Sequence, residues 1–147
     1  MSRIKLEIPS SLIASLSIPV RITDINYGNH VGNDSIVSIL HEARMQWLHG
    51  HGHSEKDIHG TGLIMSDLAV EFKNESFYGD NIEVGIYAGE ISRVSFELYY
   101  QLRTIRDTKN IIIANAKTGM VCYDYTAKKT VSIPAELLQL LSPESTI

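Results

Sequence analysis

One cysteine, four prolines and no run of like charges mark this 147-residue chain by what it lacks. A single thiol, Cys122, cannot form a disulfide within the chain, so no covalent staple contributes to the fold. The same scarcity reads as a reducing compartment, with the cytoplasm as the expected location. A net charge of −4 without any basic block argues against a binder of nucleic acid or of an acidic membrane surface. Any phosphate-bearing ligand must therefore be met by a local cluster. No apolar stretch reaches the length of a membrane span. The N-terminal "SLIASLSI" is broken by serines, preceded by Glu7 and Pro9 and closed by Pro19, which also makes it a poor signal peptide. No repeat, low-complexity tract or long Gly/Ser/Pro linker divides the chain. At 44% hydrophobic it is expected to form one globular domain over residues 1–147.

What is present falls into segments of distinct period. "LSIPVRIT" alternates as a strand does, and from Asp34 to Leu48 the residues Ile36, Ile39, Leu40, Ala43 and Trp47 recur at helical spacing on one face. Asn33 or Asp34 is the expected N-cap of that helix, and Gly50 and Gly52 its stop. "GLIMSDLAVEF", "NIEVGIYAGEI", "RVSFELYYQLRTI" and "NIIIANAKTGMVCYDY" follow as β-branched and aromatic runs, punctuated by the turns "YGDN" and "RDTKN". "PAELLQLL" opens on a proline suited to the first turn of a helix. One strand, one long helix, four strands and a terminal helix predict an α+β fold. Its antiparallel meander curls around the helix to bury the apolar stripe, with a core over about residues 16–141.

Between the first strand and the helix stands "TDINYGNHVGND", residues 23–34, almost none of which can be core. A loop this polar, feeding straight into a helix, brings carboxylate, amide and imidazole groups beside the helix's free N–H groups. His30 is the loop's best base by side-chain type. Asp24 is the nearest carboxylate in sequence, suited to orient His30 or take its place, or else only to cap the turn. Asn26 cannot take a proton at neutral pH and would hold water or a carbonyl group. Gly28 and Gly32 either admit a ligand close to the backbone or simply turn the chain. Asn33 reads as a helix cap ahead of a ligand contact.

On "VRITDINYGNHVGND", "HEARMQWL", "EFKNESFYGDNIEV" and "VSIPAELLQLL", in order and at compatible spacing from about Pro19 to Leu141, the chain resembles the hotdog-fold thioesterases of the 4-hydroxybenzoyl-CoA thioesterase type. The resemblance implies a curled antiparallel β-sheet wrapped around one long central helix. It implies an acyl-CoA or acyl-carrier-protein thioester as substrate, hydrolysed without a cofactor to a carboxylic acid and a free thiol. The leaving thiolate, with a pKa of about 8 to 9, needs no strong general acid. The reaction needs a group to activate water and donors aimed at the carbonyl oxygen. Neither family template transfers whole, so Asp24, Asn26 and His30 are the expected catalytic set on their side-chain chemistry, and the resemblance adds Glu42 as the helix acid that several relatives use. Tyr27, Gly28, Asn29 and Asn33 are the expected substrate contacts. Relatives pair into a homodimer or homotetramer, and the same is expected here. Many of them carry a carboxylate where this chain has Asn26, and the asparagine of the acyl-carrier-protein thioesterases falls on Gly28.

The remaining candidates are weaker. A helical wheel sets Glu42 away from the apolar stripe, beside Gln46, facing solvent or a partner subunit, and Arg44 reads as an ion-pairing residue. Asp67 is expected on the strand face of Met65 and Ala69, opposite Ile64, Leu68 and Val70. "LHGHGHSEKDIHG" gathers His49, His51, His53 and His59 but has no ordered helical pair or nearby cysteine, so no metal site is expected. Cys122 reads as a buried small apolar residue. A second class of function, a non-catalytic acyl-CoA-binding hotdog domain such as senses ligand in a regulator, would need an attached helix-turn-helix for which the chain leaves little length. A hydratase or dehydratase of the same fold would need other histidine and acid motifs.

Overall fold

The computed structural model describes residues 3–143. Eight regular elements follow in order: β1 (Leu12–Pro19), α1 (Asn33–Gly50), β2 (Gly62–Phe72), β3 (Asn81–Ile91), β4 (Ser95–Arg106), β5 (Lys109–Asp124), β6 (Lys129–Thr130) and α2 (Ala135–Leu140). The strands form one antiparallel sheet in the order β1-β3-β4-β5-β2, with β6 added to the end of β5. Period-two burial along β3 and β4 turns Ile82, Val84, Ile86, Phe96, Leu98, Tyr100 and Leu102 to one side. That side packs on Ile36, Ile39, Leu40, Ala43 and Trp47 of α1 in a single hydrophobic cluster. A curled sheet around one long helix is the hotdog arrangement. No helix among the described residues is long and apolar enough to cross a membrane.

Local differences from the sequence reading have physical causes. The first strand runs over Leu12–Pro19, not over 16–23, because its ladder to β3 ends where Pro19 faces Asn81. Beyond it, Ile22–Asp24 winds into a 3₁₀ turn. The N-cap of α1 is Gly32 rather than Asn33 or Asp34, and no side chain caps the first turn. In β2 the pairing shifts between Met65 and Asp67, a bulge that adds one residue. Asp67 therefore faces outward opposite Gly119, whereas Met65 pairs with the fully buried Met120, so the two do not share a face. Asp67 holds the bulge, accepting from Gly119 N at 3.0 Å and Lys117 Nζ at 2.8 Å. The lysine's bond, ahead of the other causes, keeps the Asp67 carboxyl below its ordinary range.

A polar chain crosses the helix–sheet interface. Arg44, buried on α1, donates from Nε to Glu55 Oε2 at 2.8 Å and from Nη1 to Tyr100 Oη at 3.2 Å. Tyr100 Oη meets Thr118 Oγ1 at 2.7 Å, and His41 Nε2 meets Glu55 Oε1 at 2.6 Å. Burial pushes the Tyr100 phenol up, so it stays a neutral hydrogen-bonding group. The chain fixes the rotation of α1 on the sheet, and with it the direction of the helix's N-terminal end.

Candidate active site

The loop before α1 is closed on itself. Asn26 N donates to His30 O at 2.9 Å and Asn29 N to Asn26 O at 3.0 Å, while Ile25 and Val31 form an isolated bridge. Asn29 sits at φ 64°, a left-handed position that asparagine tolerates better than most residues. Asn26 Oδ1 accepts from Gly28 N at 2.9 Å, so the amide's donor end is left for other partners. A methyl group on Gly28 would lie 3.2 Å from both Asn26 Oδ1 and His30 Nε2, which places the two side chains around the same small space. Tyr27, Gly28 and Asn29 form the exposed tip, with Tyr27 fully in solvent.

His30 Nδ1 lies 3.1 Å from Val31 O, a carbonyl that only accepts, so Nδ1 carries the hydrogen and donates. Its Nε2 then carries the lone pair and lies 3.8 Å from Glu75 Oε1, and both residues line a cleft of about 210 Å³ with Asn33, Ile36, Phe72 and Ile113, among others. The uncapped first turn of α1 opens at the same place, with its leading N–H groups unpaired by any side chain. His30 and Asn33 line this cleft, and the Asn26 side chain lies beside His30 across Gly28 without lining it.

The expected acids do not join them. Asp24 is buried, with Oδ2 accepting from Arg21 N at 2.8 Å and Oδ1 from Arg21 Nη2 at 3.4 Å. It closes the 3₁₀ turn and does not meet His30. Glu42 lies on the exposed face of α1, bonded to Gln46 Nε2 at 2.8 Å. The carboxylate that approaches His30 is one that the sequence reading missed: Glu75 Oε1 stands 3.8 Å from Nε2. No local signal marks it, since Glu75 lies in the segment between β2 and β3 and meets His30 only through tertiary contact.

That segment is well anchored. Asn74 N donates to Ile113 O at 3.1 Å and Asn74 Nδ2 to Ile112 O at 2.7 Å, while Val31 N donates to Ser76 O at 2.8 Å. Asp80 of the Gly-Asp turn accepts from Ser76 Oγ and Phe77 N, both at 2.9 Å, and from Arg106 Nη2 at 2.5 Å. Burial alone would raise the Asp80 carboxyl, but these bonds outweigh it and hold it below its ordinary value. Arg106 also donates to Glu75 O at 3.4 Å and stacks on Phe77 at 5.0 Å.

The other sequence candidates lie elsewhere. His53 and His59 face each other with ring centroids 5.4 Å apart, and His59 Nδ1 stands 3.7 Å from Glu136. Among the described residues no three His, Cys, Asp or Glu side chains converge as a metal centre requires. Cys122 is buried, and burial pushes its thiol up to about 11, which leaves it protonated and unreactive at neutral pH.

A curled sheet around one helix, with a polar loop at the helix's N-terminal end, is the hotdog architecture, and the sequence matches narrow it to the thioesterases. A family model described as the thioesterase-like superfamily matches residues 20–141, and the chain belongs to that family. It is 30% identical over 115 residues to a 1,4-dihydroxy-2-naphthoyl-CoA hydrolase of Microcystis aeruginosa, covering 76% of this chain and 80% of the relative. Its fold is similar to that of a 1,4-dihydroxy-2-naphthoyl-CoA thioesterase from Synechocystis, with a TM-score of 0.76 at 19% identity over 86% of this chain and 93% of the other. It also resembles a 4-hydroxybenzoyl-CoA thioesterase bound to 4-hydroxybenzoyl-CoA, with a TM-score of 0.77 at 16% identity over 88% and 98%. The protein is a thioesterase.

Proposed function

We propose that this thioesterase hydrolyses an acyl-CoA, with His30 as general base and the first turn of α1, helped by the Asn26 amide, as the donors that receive the carbonyl oxygen. The observation that carries the reading is that His30 and Asn33, the first residue of the uncapped helix α1, line one cleft. In the reaction, a water oxygen attacks the thioester carbon while one of its protons passes to Nε2. The carbonyl oxygen gains charge beside the helix N–H groups, whose fixed dipoles cost no reorganisation at that moment. The C–S bond then breaks, the thiolate leaves and takes the proton back from the imidazolium, and a carboxylic acid and a free thiol result. Asp24 and Glu42 take no part, since each is engaged by another partner.

The cleft is smaller than the roughly 300–1,000 Å³ that encloses a drug-sized ligand, and Ile36, Phe72 and Ile113 give it apolar walls. It suits the acyl end only, leaving the coenzyme outside. A compact, aromatic acyl group fits those walls and agrees with the names of the curated relatives. The experiment is thiol release across acetyl-, octanoyl-, palmitoyl-, benzoyl- and 1,4-dihydroxy-2-naphthoyl-CoA, with an acyl-carrier-protein thioester alongside. An aromatic acyl-CoA is expected to be turned over fastest. No thiol release from any CoA ester would sink the reading.

The reading includes a homodimer. Among the described residues the outer edge of β2 has no strand neighbour in the sheet, and Met65, Leu68 and Phe72 stay exposed on its helix-facing side although their strand neighbours Met120, Thr118 and Ala114 are fully buried. Such an edge is a template for pairing, and a second copy would cover it. Sedimentation or light scattering at micromolar concentration should give at least twice the 16.4 kDa of one chain. A monomeric mass would contradict the assembly.

A further inference from the structure

We infer that Glu75 is a second catalytic group, holding the attacking water together with His30. The inference rests on the reading of His30 as base and adds the carboxylate that this reading lacks. Among the described residues that line the cleft, Glu75 alone is an acid. With Nδ1 donating to Val31 O, His30 Nε2 is an acceptor, and Glu75 Oε1 is another acceptor only 3.8 Å away. Two acceptors at that separation attract a single water that donates one hydrogen to each. The water's lone pair is then turned away from both and toward the thioester carbon. When Nε2 takes its proton, the resulting imidazolium lies beside a carboxylate of opposite charge, while the second hydrogen stays bonded to Glu75.

Glu75 is placed for this by its backbone. The residue before it is tied to β5 through Ile112 O and Ile113 O, the residue after it to Val31 through Ser76 O, and its own carbonyl to Arg106. The side chain itself is open to solvent, at 64% exposure, so it reaches the cleft without being part of the packing. A substitution there changes the chemistry and not the fold.

The test uses the full-length enzyme and the acyl-CoA turned over fastest in the panel above. Glu75→Gln is expected to lower kcat on the order of 10²-fold with KM nearly unchanged. In a His30→Ala background the same change should cost little more, because the two groups act on one water. Formate should restore part of the turnover of Glu75→Ala by returning a carboxylate to the site, a recovery that a purely structural role would not show. If Glu75→Gln keeps full turnover while His30→Ala does not, the inference falls and the His30 reading stands. If both keep full turnover, both fall. A change in KM alone would make Glu75 a binding contact and overturn the inference, as would losses that simply multiply in the double variant.

Discussion

His30→Ala should lower kcat for the best acyl-CoA by roughly 10²- to 10⁴-fold while KM changes little, the range typical of a lost acid–base residue. At about 1.36 kcal/mol per decade this removes about 3–5 kcal/mol of transition-state stabilisation. The direction follows from geometry: Nδ1 is committed to Val31 O, so Nε2 is the ring atom free to accept a proton at the cleft. Asn26→Ala should lose less, since the helix donors remain. Asn26→Asp is expected to fall below Asn26→Ala. Asn26 Oδ1 already accepts from Gly28 N, so the amide's useful end is its NH₂, and a carboxylate would put negative charge where the oxyanion develops. Steady-state kinetics on the folded variants decides both points. Full turnover by His30→Ala would remove this cleft as the catalytic centre. An Asn26→Asp enzyme as active as its parent would show that a carboxylate serves as base at that position.

Glu55→Gln should destabilise the fold by about 3 kcal/mol, toward the low end of what breaking a buried ion pair costs. The cause is the stranding of Arg44, which is nearly inaccessible and has Glu55 as its only carboxylate partner among the described residues. Removal of that charge leaves a buried guanidinium with only neutral partners, Tyr100 and the new amide, and takes the carboxylate away from His41. For a chain of this size the loss corresponds to a fall in Tm of roughly 6–12 °C, measured at fixed protein concentration because assembly contributes to stability. Glu42→Gln supplies the control: its carboxylate is exposed and bonded only to Gln46, so its effect should stay within about 0.5 kcal/mol. Equal melting temperatures for the two variants would refute the structural role given to the Glu55–Arg44 pair. The same pair links stability to the site, since it fixes how α1 lies on the sheet and where its first turn points.

The sequence by itself determined the elements whose signals are local. The bounds of β2 and β3 coincide with "GLIMSDLAVEF" and "NIEVGIYAGEI", and the stripe of Ile36, Ile39, Leu40, Ala43 and Trp47 is the buried face of α1. Periods of two and of 3.6 are properties of backbone geometry, so a single segment carries them. The polar loop before the helix was legible for a related reason, because chain continuity sets it beside the helix start and most of its residues, Asp24, Val31 and Gly32 apart, stay at or near the surface. Only the tertiary structure decided which charges meet. Glu55 reaches Arg44 from the histidine-rich loop, and Glu75 reaches His30 from the segment between two strands. The bulge that turns Asp67 away from the face of Met65 belongs to the same group. These outcomes depend on strand register and loop closure, which bring groups together through space. Charge pairing between separate segments has no sequence period, so spacing along the chain cannot reveal it.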